Sequence, residues 1–220
     1  MICRGGVAAT VLSVQETVVR TDEQLLVEQG RLQQEAAAVR GDLSLDERFS
    51  DVGVVTLVGS AALGLMVWRD LDVTVICQRL DVARIVALAA PLVDHERVWQ
   101  LTFRDDTGDW RTDPSYPDGL YAGLRYRTVR GDDWNVDVWF VDEPDRQPDL
   151  AHVRTLPERI TDDARLAILR IKHAWADHPS YGSSVTSHDV YTAVIDHDVR
   201  TTDDFAAWLG GRVNAGGDGG

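Results

Sequence analysis

Lysine is nearly missing from these 220 residues: Lys172 is the only one, and arginine carries the rest of the positive charge. Basic residues as a whole are outnumbered, leaving a formal net charge of -14. Such a balance repels phosphate backbones and disfavours a stable nucleic-acid partner. Cysteine is scarce too. Cys3 and Cys77 are the only two, and no disulfide framework or cysteine metal site can be argued from them. Cys77 closes an apolar run and reads as a small buried hydrophobe. No stretch approaches the ~18 consecutive apolar residues that span a bilayer, so no membrane partner is expected. The opening MICRGGVAATVLSVQ has one arginine and an apolar patch broken by Thr10 and Ser13. It reads as a ragged leader rather than a secretory signal, which makes the cytoplasm the expected location.

What is present is enough apolar material for a core, 44% of the residues, and a pattern that changes character along the chain. Thr21 and Gln24 form a capping box for a helix to about Val39, with Leu25, Leu32 and Ala36 at helical spacing. Short strands follow at Gly53–Val58 and Asp72–Cys77. Asp81 caps a helix through Leu88, closed by Pro91. Val98–Phe103 alternates as a strand, and the Asp-, Gly- and Pro-rich stretch 104–119 reads as a long loop. Tyr121–Arg130 and Trp134–Val141 read as a hairpin around Gly131-Asp132-Asp133. Beyond the Pro- and Asp-rich DEPDRQPDL the periodicity becomes helical. One helix is capped by Thr161, with Ala164, Ile168, Ile171 and Trp175 on one face. Others start near Ser187 and Thr201, the last expected to stop at Gly210-Gly211. The fold expected is α+β: a mixed twisted sheet flanked by helices, then a small helical unit. Its parts are a leader and packing helix (1–48), a core (49–145), the helical unit (146–209) and a flexible tail (210–220).

The acidic residues in the strands are the informative ones. Asp70 and Asp72 stand two apart, so extended backbone points them to one side, with Leu71 and Val73 to the other. In Trp134–Val141, Val136, Val138 and Phe140 form an apolar face that leaves Asn135, Asp137 and Trp139 opposite. If these strands are neighbours, three carboxylates converge. They repel one another and raise each other's pKa values unless a cation sits among them. Hard oxygen ligands without histidine or cysteine favour Mg²⁺ or Mn²⁺. Magnesium usually takes phosphate oxygens as its remaining ligands, which implies a nucleotide. Two such ions ~3.5–4 Å apart clamp an in-line nucleotidyl displacement. Upstream, Gly59 permits close backbone approach and Ser60 offers a hydroxyl. The following AALGLMVW reads as a helix, whose N-terminus suits an anion.

Val58-Gly59-Ser60, nine residues, then Asp70-Leu71-Asp72-Val73 resembles the hydrophobic-Gly-Ser…Asp-x-Asp motif of the DNA polymerase beta-like nucleotidyltransferase superfamily. Asp137 in WNVDVWF resembles that family's third carboxylate. The resemblance covers about Gly53 to Asp142, and the helices after it are similar to those of small bacterial antibiotic nucleotidyltransferases. It implies that Asp70, Asp72 and Asp137 are catalytic and hold Mg²⁺ or Mn²⁺, with Asp137 as base toward an acceptor hydroxyl. It also implies that Gly59 and Ser60 hold the β- and γ-phosphates of an NTP, ATP favoured. The reaction implied is transfer of a nucleoside monophosphate to a small-molecule hydroxyl, an aminoglycoside-like antibiotic among the candidates, with release of pyrophosphate. Transfer to a protein or tRNA end, or a non-catalytic nucleotide-binding module on the same fold, are the other readings.

Other residues admit two readings. Lys172 either meets the β/γ-phosphates or is an ordinary solvated helical lysine. Ser60 either meets phosphate or caps the next helix. Arg69 steadies phosphate or balances its acidic neighbours. Tyr121, Arg125, Tyr126 and Arg127 either contact nucleotide or acceptor or belong, through Leu124, Tyr126 and Thr128, to a packed face. His173, His178, His188 and His197 do not have zinc-finger spacing.

Overall fold

A computed structural model describes residues 20–114 and 116–215. The expected leader with Cys3 and the last residues of the tail lie outside the described residues. Helix α1 spans Asp22–Asp42 and starts on the Thr21–Gln24 capping box. The short α2 (Leu45–Phe49) follows. Five strands come next: β1 (Gly53–Leu57), β2 (Asp70–Cys77), β3 (Val98–Asp106), β4 (Gly119–Arg127) and β5 (Asp133–Val141). They form one mixed sheet in the order β1-β2-β5-β4-β3, in which only β2 and β5 run parallel.

One face of the sheet is covered. Leu71, Val73 and Val75 of β2 and Val136, Val138 and Phe140 of β5 pack against α1, α2 and α4 (Val82–Ala89), which Asp81 caps. Each fully buried aliphatic or aromatic side chain there contributes on the order of 1.5–3 kcal/mol. Residues of opposite parity, including both acidic residues of β2 and Asp137 of β5, fall on the other face. A second apolar cluster joins α6 (Asp162–Trp175), α7 (Ser187–His197) and α8 (Thr202–Ala215) to Leu63 and Leu65 of the core. The helices are thereby pressed against the sheet's acidic edge, closing one side of a cleft.

Four expectations change. The helix after Ser60 is only α3, Gly59–Leu63, because Gly64 turns left-handed at φ +68 and ends it. Strand β3 runs on to Asp106, shortening the expected loop, part of which is a 3-10 turn at Gly108–Trp110. The Pro-rich stretch contains α5 (Pro148–Thr155), since proline is tolerated at a helix start. Helix α8 passes through Gly210-Gly211 to Ala215: a helical glycine costs only about 1 kcal/mol, which the rest of the helix overrides.

Candidate active site

Strand register brings the acidic residues together. Asp72 lies opposite Asp137 across the parallel β2–β5 pair, and Asp70 opposite Asn135. Carboxylate oxygens of Asp70, Asp72 and Asp137 lie within 4.8 Å of one another, the only such metal-ligating group among the described residues. All three are half-buried. The histidines form no such group, and His188 stacks on His152 instead. Three carboxylates this close fit a hard divalent ion by donor chemistry and number.

The glycine upstream is dictated by one of these carboxylates. Gly59 has φ +61, and a Cβ there would stand 2.2 Å from Asp72 Oδ2. Backbone therefore presses directly against the acidic group, as an extra methyl would forbid. The loop is tied to β2 by the Val58 amide, which donates to Asp72 O at 3.0 Å.

Lys172 is brought to the same corner from α6. It is 0% exposed, so the solvated reading fails. Its Nζ donates to Ser60 Oγ at 2.7 Å and to Leu65 O at 2.8 Å, and stands 3.4 Å from the Tyr191 hydroxyl. Burial pulls its pKa down to about 7, against the attraction of Asp72 and Asp70. Ser60 does not cap α3; the N-cap is Val58 and makes no side-chain bond. The serine hydroxyl faces Lys172 instead. Arg69 turns away from the triad to Glu35 and Asp132.

A cavity of about 550 Å³ opens over Gly59, Ser60, Asp70 and Asp72, and Asp149 and His188 also line it. Asp137 lines a separate hollow of about 230 Å³ on the open face of the sheet. Tyr121 lines the same hollow: its hydroxyl donates to Asp137 Oδ1 at 2.6 Å. Its ring crosses Gly123, where a Cβ would be 2.2 Å from the tyrosine oxygen. Burial, then the bond to Asp137, pushes the Tyr121 pKa up, so the group stays a donor. Tyr126, by contrast, is buried in the core and bonds Asp42. Of the aromatic-basic stretch only Tyr121, Arg125 and Arg127 share the open face. Tyr121 was not separable from its neighbours in the sequence, yet its position is readable: two residues before Gly123, on the strand facing β5. Tyr121→Phe should leave the fold intact and lower turnover by roughly tenfold, the loss of about 1.4 kcal/mol of orientation. Steady-state kinetics check this, with the change in kcat rather than in KM for the nucleotide.

Burial first, and then Asp137, pushes the Asp70 pKa up to about 6. Burial, then Asp70 and Asp137, lifts Asp72 well above the ordinary carboxylate range. Folded protein therefore binds more protons than unfolded protein between the ordinary carboxylate pKa and about 6, and this contribution to stability falls as pH rises through that window. A divalent cation must displace those protons. The thermal upshift given by Mg²⁺ should thus grow as pH rises from about 5 to 7, measured by differential scanning fluorimetry with and without Mg²⁺.

The sequence matches no protein-family profile, and no curated protein is significantly similar to it. Solved structures do resemble it. The Cid1 poly(U) polymerase, a mutant form bound to MgATP, superposes with a TM-score of 0.56 at 15% identity, over 81% of this chain and 55% of that one. A second Cid1 structure, described for its RNA terminal uridylyl transferase activity, gives 0.53 at 14% identity, over 81% and 52%. Cid1 with its short product ApU gives 0.50 at 14%, over 79% and 54%. The chain spans about half the length of these proteins, and it shares their nucleotidyltransferase fold.

Proposed function

We propose that this chain is a Mg²⁺- or Mn²⁺-dependent nucleotidyltransferase that moves a nucleoside monophosphate from an NTP to a hydroxyl of a small molecule. The observation that carries the reading is the convergence of Asp70, Asp72 and Asp137 beside the Gly59 backbone. Asp70 and Asp72 would hold the metal, with Asp137 joining them. When bound, it neutralises charge on the phosphates and lowers the barrier to displacement at phosphorus. The chain's own residues do the positioning. The Gly59 backbone admits phosphate close to Asp72. Lys172 holds Ser60 and the Leu65 carbonyl in place, and adds positive charge behind the phosphates without leaving its buried seat.

Asp137 takes the proton of the acceptor hydroxyl. The acceptor oxygen forms a bond to the α-phosphorus, the bond from that phosphorus to the bridging oxygen breaks, and pyrophosphate leaves with its electron pair. Tyr121 occupies Asp137 Oδ1 and leaves Oδ2 for that work. ATP, held as MgATP by a mutant form of the similar Cid1, and UTP, for which that protein is described as selective, are the first donors to test.

Pyrophosphate release from each common NTP, with Mg²⁺ and a panel of aminoglycosides, lincosamides and tRNA, tests the reading. Release that needs one acceptor and disappears in Asp70→Asn supports it. Mg·NTP binding without release under any acceptor favours a binding module, and no binding at all contradicts the proposal.

A further inference from the structure

The acceptor side of Asp137 has its own chemistry. Cross-strand register lays the open face out as a grid. Thr102, Gly123, Asp137 and Asp72 form one row across β3, β4, β5 and β2. Gln100, Arg125, Asn135 and Asp70 form the next. The hollow beside Asp137 is lined by Gln100, Thr102, Arg125 and Asn135, with Tyr121 at its edge. Apart from Asp137 no carboxylate lines it, in a chain whose net charge is -14.

Arg125 is the unusual member. Nearly every described arginine side chain is engaged by a carboxylate or a carbonyl; the side chains of Arg125 and Arg130 make no hydrogen bond or ion pair among the described residues. Arg130 sits beyond the end of β4, near the hairpin turn, whereas Arg125 projects from the middle of the sheet beside the triad. Its positive charge is felt by Asp70 but makes no contact with it. The Asn135 side chain is likewise without a hydrogen bond among the described residues. A guanidinium without a partner among the described residues, cross-strand from an amide in the same state, presents a forked donor set suited to an oxyanion. Strand geometry fixes its reach. Arg125 is two residues along β4 from Gly123, which faces Asp137, a span of roughly 7 Å.

We infer that the acceptor is a phosphate-bearing hydroxyl compound, its phosphate held by Arg125 and Asn135 while its hydroxyl, a few bonds away, meets Asp137. The inference rests on the nucleotidyl-transfer reading and narrows it. It sets the acceptor against a polycation, because an aminoglycoside ammonium would meet Arg125 head on. Two sources share the chemistry, a phosphorylated polyol and the phosphodiester next to a nucleic-acid terminal hydroxyl, and the acidic chain favours the smaller.

The test pairs turnover with binding. Pyrophosphate release is measured with Mg²⁺ and NTP for ribose 5-phosphate against ribose, a tetraribonucleotide, and kanamycin, in wild type and Arg125→Gln. The expected result is a preference for one of the phosphate-bearing acceptors of at least about tenfold in kcat/KM. Arg125→Gln should bring the ratio near one. Preference for ribose or kanamycin, or a ratio untouched by Arg125→Gln, overturns the inference. Amide NMR shifts are recorded in parallel during titration with ribose 5-phosphate and with the tetraribonucleotide. Shifts at residues 100, 102, 125 and 135 that vanish in Arg125→Gln support the phosphate site even if no acceptor releases pyrophosphate, so the two readings fail separately. No shifts there with either probe overturn it.

Discussion

Asp72→Asn should abolish pyrophosphate release, by about 10³-fold or more, and at the same time raise the melting temperature of the metal-free protein. Two effects of opposite sign follow from one charge. Asp72 is the central member of the triad, opposite Asp137 in register and two residues from Asp70. Removing its carboxylate leaves the metal one ligand short, and several kcal/mol of charge stabilisation at each ~1.4 kcal/mol per tenfold gives that loss in rate. Stability moves the other way. Both burial and its acidic neighbours lift the Asp72 pKa, which means that the ionised residue strains the fold near neutral pH. An amide of the same shape removes that strain. For a chain of this size, about 1 kcal/mol appears as roughly 2–4 °C in Tm. Activity and fluorimetry on one preparation check both arms. A residue needed only for the fold would lower both.

The second large effect is expected at Gly59. Gly59→Ala should reduce turnover at least about 100-fold, whereas Gly64→Ala should leave turnover within a few-fold of wild type. Both glycines have positive φ, at +61 and +68, so each alanine carries a similar backbone penalty of about 1–2 kcal/mol. They differ in what the new methyl meets. At Gly59 it meets Asp72 Oδ2 at 2.2 Å, and the carboxylate must move out of the triad. At Gly64 it meets Arg165 Nη1 at 2.7 Å, the far end of a flexible side chain. Equal destabilisation with unequal loss of turnover separates the site from the backbone strain. The pair is compared by urea unfolding and initial rates.

Much of this site is legible in the sequence because strand parity is a strict two-residue period. Asp70 and Asp72 fall on one face whatever surrounds them. The alternation of Val136, Val138 and Phe140 puts Asp137 on the polar side of its own strand. The missing step is that β2 and β5 are neighbours, parallel and in register. No local pattern specifies pairing between segments so far apart in the chain, and the convergence itself emerges only from the sheet. Lys172 shows the same limit from another direction. Helical spacing predicts its turn of α6, yet its full burial depends on Leu65 and Tyr191 closing over it. Ser60 looks like a cap because serine often is one, but a buried ammonium offers its hydroxyl a stronger partner. Beside the length of β3 and the helix α5, helix ends are the remaining misses. Gly64 terminates α3 early because its left-handed φ breaks the helix, while Gly210 and Gly211 leave α8 intact because they keep helical backbone.

Mn²⁺ binding reports the convergence of the three carboxylates, through the residue that only tertiary structure brings to the site. Mn²⁺ is titrated into wild type and Asp137→Asn with a non-hydrolysable ATP analogue present, and free Mn²⁺ is followed by electron paramagnetic resonance. Wild type should remove Mn²⁺ from solution, and Asp137→Asn should weaken this by at least about tenfold, ~1.4 kcal/mol. Wild type that leaves Mn²⁺ free, or equal binding by both proteins, would contradict that convergence, because the three carboxylates would then not share an ion.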